Sequence, residues 1–403
     1  MSICEAFLFT RIDTQHKAVS QSTILWVLGG STVAVFSNMY ATQPILPIIG
    51  EEFGLKPSEA GMTVSALVLA VGCSAVFFGF LIDRFGPRRV MVASTLALVF
   101  PTLMCAVSPF FQFLLLSRVA QGLLIPGFIA GVLAYIHEEF SSRRGMAIGW
   151  YTASTIFGGF SGRVIGGLLT EFVNWRTAFV GFALFNLVAY LIMRRYLPES
   201  HHSSRNATNR SKGHSLNSFI IAFKNRNLVG AFLVGPAIFF PFIGLFTYLP
   251  YYLTKPPFNL STLLVSFIFV VYLIGTFSAP IAGRLSDRYS RRAVIGIGLL
   301  IMMFGIALTL TPWLLSVFAG LLFLCFGMFT VQSTTNAYVG DNIQENQGRG
   351  SAVALYQMFF YLGGTIGGIV PGLLWQSGGW LPLICGCLAA LVAGFLAVVW
   401  VCR

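Results

Sequence analysis

The chain has 403 residues, of which 56% are hydrophobic and 9% charged, with a formal charge of +12. So much apolar surface cannot be hidden inside the two or three water-soluble domains this length would otherwise allow, which excludes a soluble globular protein. The positive residues are confined to short turns between apolar runs, so they report membrane orientation and argue against a nucleic-acid-binding face.

The first residues carry Glu5, Arg11, Asp13 and Lys17 around a short apolar patch, which does not suit a cleavable signal peptide; the first apolar run is expected to serve as the membrane signal. Twelve runs are long enough to cross about 30 Å of hydrocarbon. They lie at 23–47, 59–82, 90–108, 111–137, 146–170, 177–195, 228–252, 262–283, 293–312, 314–338, 351–375 and 381–401. An even count puts both termini on one side. Twenty Lys and Arg residues fall on that side and three, Lys56, Arg176 and Lys255, on the other, which predicts a bacterial inner-membrane protein with both termini in the cytoplasm. The one long polar segment divides the chain into a six-helix unit at 1–197, a cytoplasmic linker at 198–226 and a second six-helix unit at 227–403. His201, His202 and His214 in the linker have no Cys or carboxylate cluster to complete a metal site, and the Asn206 sequon falls on the cytoplasmic side. The seven cysteines are odd in number, include no CxxC and mostly sit in apolar runs, as small buried residues do.

The two units echo each other. After the second run comes Gly79 to Arg89, GFLIDRFGPRR, a sharp basic turn, and Gly283 to Arg292, GRLSDRYSRR, follows the eighth run. Gly79, Leu81, Asp83, Arg84 and Arg88 recur 204 positions later as Gly283, Leu285, Asp287, Arg288 and Arg292. Tyr151, Gly158, Gly159, Gly162 and Trp175 recur after 205 as Tyr356, Gly363, Gly364, Gly367 and Trp380. A repeat of this length is too long for a solenoid unit and fits paired bundles of membrane helices around a shared site.

Three of these motifs carry a resemblance. The Gly-x-Leu-x-Asp-Arg-x-Gly-x-Arg-Arg turn resembles the signature loop of the major facilitator superfamily, and Arg118-Val-Ala-Gln121-Gly122 in the fourth run is similar to that superfamily's Arg-x-x-Gln-Gly motif. Gly158-x-x-x-Gly162-Arg163-x-x-Gly166-Gly167 resembles the fifth-span motif of its proton-coupled efflux branch, except that Arg163 stands where that branch has proline. The resemblance covers nearly the whole length. It implies an all-α membrane protein of twelve transmembrane helices in two pseudo-symmetric six-helix bundles, and a secondary active transporter that exports small organic compounds, drug-like or sugar-like, by alternating access. Small-molecule substrate, protons and membrane lipids are the expected partners, with no nucleic acid, no cofactor and a monomeric state.

Every acidic residue lies outside the runs or at the end of one, and neither a GxxxxGK[ST] loop nor an HExxH is present, so neither an ATP-driven pump nor an intramembrane protease is expected. Asp83 and Asp287 are placed to meet the positive N-termini of helices in the opposite unit near Ser351 and Gly145, holding the cytoplasmic side shut; Arg84, Arg88 and Arg288 surround them, and Gly79 and Gly283 would admit a close helix. The alternative is that Asp83 only anchors a turn. Gly158, Gly162, Gly166, Gly167, Gly363 and Gly367 are expected to pack helices closely, along the junction of the bundles or simply within each one. By the resemblance, spans one, four, seven and ten line the cavity, which nominates Asn38, Tyr40, Gln43, Arg118, Gln121, Phe239, Phe240, Tyr248, Gln332 and Asn336. Arg118 and Arg163 lie roughly 11 Å deep at 1.5 Å per residue and have no intramembrane acid to neutralise them. Each either lines the cavity and attracts an anionic or electron-rich group, or bonds helix carbonyls and buried amides such as Gln121. Proton coupling would use Glu138, Glu139 or Asp341 drawn in from a span end, a proton carried on the substrate, or no proton at all. Uptake or exchange of an organic anion is the alternative function, and a non-transporting receptor or scaffold a remote one.

Overall fold

The computed structural model describes residues 20–140, 143–199, 223–342 and 349–401, and these are all-helical. In chain order the helices are α1 (Gln21–Tyr40), α2 (Leu46–Glu52), α3 (Pro57–Phe85), α4 (Pro87–Ala106), α5 (Phe111–Glu139), α6 (Arg144–Phe172) and α7 (Trp175–Tyr196). They continue as α8 (Arg226–Leu253), α9 (Thr262–Ile268), α10 (Gly275–Arg288), α11 (Arg291–Leu308), α12 (Leu314–Asp341), α13 (Arg349–Gly378) and α14 (Trp380–Trp400). Ser20, Asn174, Ser261 and Ser290 start four of them, each accepting a backbone N–H three residues on and so satisfying a donor that the first turn leaves free.

Eleven stretches of the described residues are long and apolar enough to cross a membrane. The expected fifth span is α6, whose 29 residues give the length, but whose glycines, hydroxyls and Arg163 lower its hydropathy. Such a composition suits a helix covered along its glycine faces by neighbours, where lipid-facing apolar bulk is not needed.

Two expected spans are not continuous α-helices. The first runs as α1 to Tyr40, tightens to a 3-10 turn at Gln43–Ile45 and resumes as α2. Pro44 and Pro47 lack the N–H that would continue the ladder, so the chain breaks there. The eighth divides into α9, a six-residue 3-10 stretch at Phe269–Ile274, and α10. The basic turns are shorter than the sequence suggested. Helix α3 runs through Gly79 and Asp83 to Phe85, and the chain reverses at Gly86, where φ of 84° suits glycine, before Pro87 opens α4.

Helix α6 lies with its backbone against α1, because a methyl group at Gly158 would press on Phe36 and Val33, and one at Gly162 on the Ser37 carbonyl. Helix α13 repeats this on α8, where Gly363 meets Pro236 and Gly367 meets the Phe240 carbonyl. Other glycines of the two helices face a different neighbour. Gly167 touches Ser266 of α9 and Gly159 faces Tyr272, while Gly368 touches Ser65 of α3 and Gly372 faces Tyr248 and Ser58. Each glycine-rich helix is therefore held between two partners, one from its own sequence unit and one from the other.

A polar device also recurs. Arg88 donates from Nε to the Leu197 carbonyl (2.7 Å) and from Nη2 to the Arg194 carbonyl (3.2 Å), capping the C-terminal end of α7. Its counterpart Arg292 donates to the Val399 carbonyl at the end of α14. Cations at these ends satisfy carbonyls with no intrahelical partner and complement the helix dipole.

Candidate functional site

The break in the first span organises the interior. Where α1 ends, carbonyls of its last turn lose their helical partners. Arg118 of α5 takes two of them, donating from Nη1 to Asn38 O (2.8 Å) and from Nη2 to Met39 O (2.9 Å), and Nε reaches Thr63 O (3.2 Å). Nη1 also donates to Gln121 Oε1 (2.7 Å), whose Nε2 donates to Thr102 Oγ1 (2.9 Å), and Thr102 Oγ1 in turn donates to Asn38 Oδ1 (3.2 Å). Arg118, Gln121 and Asn38 are wholly buried, and every guanidinium nitrogen is used. This set is a clamp on the break, the carbonyl-bonding alternative for Arg118.

Arg163 of α6 sits on the other side of the same break and is bonded differently. Its Nε donates to Gln43 Oε1 (2.8 Å) and its Nη1 to Gly159 O (2.6 Å); Nη2 meets no acceptor in hydrogen-bond geometry among the described residues, although the side chain is wholly buried and the Tyr272 hydroxyl stands beside the guanidinium. The guanidinium forms no ion pair among the described residues and is ringed by Tyr40 (4.5 Å to the ring centroid), Tyr272 (4.6 Å), Phe269 (5.0 Å) and Phe246 (5.8 Å). Gln43 connects it onward, donating from Nε2 to Thr247 Oγ1 of α8 (3.2 Å). Arg163, Tyr40 and Gln43 thus come together with aromatic residues from the C-terminal unit.

The remaining candidates scatter around this centre. Tyr248 is buried and donates to the Gly368 carbonyl (2.6 Å). Phe239 stacks on Phe360 at 4.0 Å, and Phe240 is half-buried with its backbone against Gly367. On α12, Gln332 is half-buried and Asn336 exposed, neither making a hydrogen bond among the described residues. Residues that sequence reasoning missed are Thr247, Phe246, Phe269 and Tyr272. Pro44 and Pro47 in an apolar run were the available sign of a break, whereas nothing local distinguishes Tyr272 from other tyrosines in the spans.

The sequence model of the Major Facilitator Superfamily matches residues 28–348 and again 257–403. The chain belongs to the major facilitator superfamily. Among relatives, the inner membrane transport protein YnfM of Escherichia coli (strain K12) is 34% identical over 383 residues, covering 91% of this chain and 90% of that one. The uncharacterized MFS-type transporter YybF of Bacillus subtilis (strain 168) is 31% identical over 351 residues, covering 87% and 86%. The fold matches that of a bacterial homologue of the human lysosomal transporter Spinster, in an inward-facing and unoccupied conformation, with a TM-score of 0.75 at 17% identity, covering 94% of this chain and 95% of that one. The protein is a multi-pass membrane transporter and a non-enzymatic carrier.

The transporter is sealed at one end and parted at the other. At the sealed end Gly61, Ser65 and Ser58 of α3 meet Gly368, Gly372 and Gln376 of α13, with Gln376 Nε2 donating to Ser58 Oγ (2.6 Å). Beside them Tyr251 donates to the Leu46 carbonyl (3.0 Å), and a shallow cleft of 590 Å³ lined by Pro47, Glu51, Leu55, Tyr251 and Lys255 opens outward. At the parted end nothing among the described residues lies within 4 Å of where a methyl group would sit on Gly79, Gly145, Gly149 or Gly283, so the close approach expected of Gly79 and Gly283 is not made among them in this conformation. Asp83 and Arg84 are exposed, and Asp83 has no hydrogen bond or ion pair among the described residues. Arg288 is exposed at the end of α10; the side chains of Asp287 and Ser351 lie outside what is described. Asp341, one of the carboxylates considered for proton coupling, is bound by Arg291 at 2.6 Å.

Proposed function

We propose that the chain is a secondary active transporter of twelve spans, arranged as two six-helix bundles at 1–197 and 227–403 joined by a cytoplasmic linker at 198–226. In this reading it exports small organic compounds in exchange for protons, from a bacterial inner membrane with both termini in the cytoplasm. The observation that carries it is the asymmetry of contact: helices from the two sequence units touch through glycine faces at one end, whereas among the described residues Gly79, Gly145, Gly149 and Gly283 make no such contact at the end bearing Asp83. A molecule built this way can exchange which end is closed by rocking one bundle on the other, with the broken helices at the pivot. The glycine-rich α6 supports the exporting assignment, since its motif resembles that of the efflux branch.

Everted membrane vesicles from cells producing the protein, energised by respiration, test this with a panel of anionic, neutral and cationic compounds. At least one is expected to accumulate, and dissipating the pH gradient with nigericin should release it. Accumulation only in right-side-out vesicles would reverse the direction, and accumulation indifferent to nigericin would remove the proton. Exchange or uptake of an organic anion is the second reading, favoured by the unneutralised Arg163.

A further inference from the structure

We infer that Arg163 is the recognition point for the single negative charge of an organic monoanion, a carboxylate carried on a flat, largely apolar body. This rests on the transport reading above and names its substrate class.

The protein contains its own comparison. Arg118 shows what a buried arginine looks like when its role is to hold the fold: four acceptors, three of them backbone carbonyls, and no nitrogen left over. Arg163, equally buried, has one backbone carbonyl and one amide oxygen, and among the described residues Nη2 has no acceptor in hydrogen-bond geometry; the Tyr272 hydroxyl beside it is the group a bound carboxylate would displace. A guanidinium has five N–H donors arranged as a fork that matches the two oxygens of a carboxylate. With Nε held by Gln43 and one direction of Nη1 by Gly159, the open part of the fork is the Nη1–Nη2 side. An unpaired buried donor is normally removed or given a partner. Here the partner is supplied by what the protein carries.

Charge and shape narrow the class further. Arg163 is wholly buried and has no ion pair among the described residues, so its surplus there is one positive charge. One negative charge balances it, and a dianion would bring an unmatched second one into a low-dielectric interior. Around the guanidinium stand Tyr40, Phe246, Phe269 and Tyr272, and Tyr272 continues edge-on into Phe329 at 5.2 Å. A flat apolar body could lie among these rings while its carboxylate meets the fork. Access also fits. Tyr40 and Tyr272 retain 5% and 7% of their surface while Arg163 has none, so the two tyrosines, themselves nearly buried, lie nearer the surface than the guanidinium. Phe246, Phe269 and Tyr272 come from α8 and the 3-10 stretch, whereas Arg163 and Tyr40 come from α6 and α1. Rocking the bundles apart at this level would uncover the fork.

The test uses the purified full-length transporter in nanodiscs and a panel of aromatic monocarboxylates, each paired with its primary amide, 2-naphthoate and 2-naphthamide among them. Binding is read as the saturable rise in unfolding temperature and as competition between panel members. At least one carboxylate is expected to bind at least tenfold tighter than its amide. Arg163→Gln should erase that preference, and Arg163→Lys should keep part of it. If no carboxylate in the panel outperforms its amide on the wild-type protein, or if Arg163→Gln leaves the preference intact, the inference is overturned. The wild-type comparison decides the matter even if the Gln variant does not fold. Failure of the transport reading would look different: spin labels at Lys56 and Lys255 on the sealed end would keep one fixed separation under every condition, whatever the charge preference of binding.

Discussion

Two arginines in one apolar interior, equally buried, are expected to respond in opposite ways to the same substitution. Replacing Arg118 by Gln removes the donors from Asn38 O and Met39 O at the broken end of α1, and each buried acceptor left unsatisfied costs about 1–3 kcal/mol. The loss of a charge does not offset this, because the clamp serves several acceptors at once; a net destabilisation of about 3 kcal/mol is expected. Replacing Arg163 by Gln loses the contacts with four rings, each worth about 0.5–1 kcal/mol, but relieves the burial of an uncompensated charge, whose effective penalty is several kcal/mol. Thermal unfolding in nanodiscs should therefore fall clearly for Arg118→Gln and stay level or rise for Arg163→Gln. A larger fall for Arg163→Gln would mean that its cage is a structural joint. The sequence could nominate both residues, since an arginine in a span without an acid is visible at once. It could not tell clamp from open fork, because the difference lies in which carbonyls a helix break three spans away has released.

At the scale of elements, the glycine pattern was the most legible feature of the chain, and its physical content is close backbone approach. The repeat told which glycines correspond, and the structure adds that the glycines of each helix face two neighbours, α1 and α9 for α6, α8 and α3 for α13. Gly162→Ala and Gly367→Ala put a methyl group against a backbone oxygen that cannot rotate away. Overpacking of this kind costs about 1–3 kcal/mol, more than the gain of about 1 kcal/mol from replacing helical glycine by alanine. Gly79→Ala meets open space in this conformation, so the propensity gain stands alone there. Both seam variants should lower the unfolding temperature and Gly79→Ala should not; a fall for Gly79→Ala equal to theirs would show that the parted end closes in the resting protein. The breaks were less legible. Pro44 and Pro47 signal that the first span cannot be one helix, but Phe269–Ile274 contains neither proline nor glycine, and its 3-10 winding is set by tertiary packing against α6 and α12. The extent of the basic turn was likewise overestimated, because a run of Asp and Arg after an apolar stretch marks where a helix leaves the membrane, not where it stops winding.

For the whole molecule, what matters is that one end is sealed and the other parted, so the sealed end has to open if solute is to cross. Ser58 and Gln376 bond directly across that end, from α3 to α13, and lie beside the contacts of Gly61 and Ser65 with Gly368. Cysteines at these two positions, in a protein whose native cysteines have been replaced, are expected to cross-link on oxidation or with a short bifunctional thiosulfonate. The bond would hold the sealed end shut and leave the parted end unaffected, so transport of any solute the parent moves should stop on oxidation and return with reductant. Complete disulfide formation between positions 58 and 376 with transport unaltered would mean that the seam between α3 and α13 is a permanent joint. The path for solute would then have to run elsewhere, and the Asp83 end would lose its claim to be one of two alternating gates.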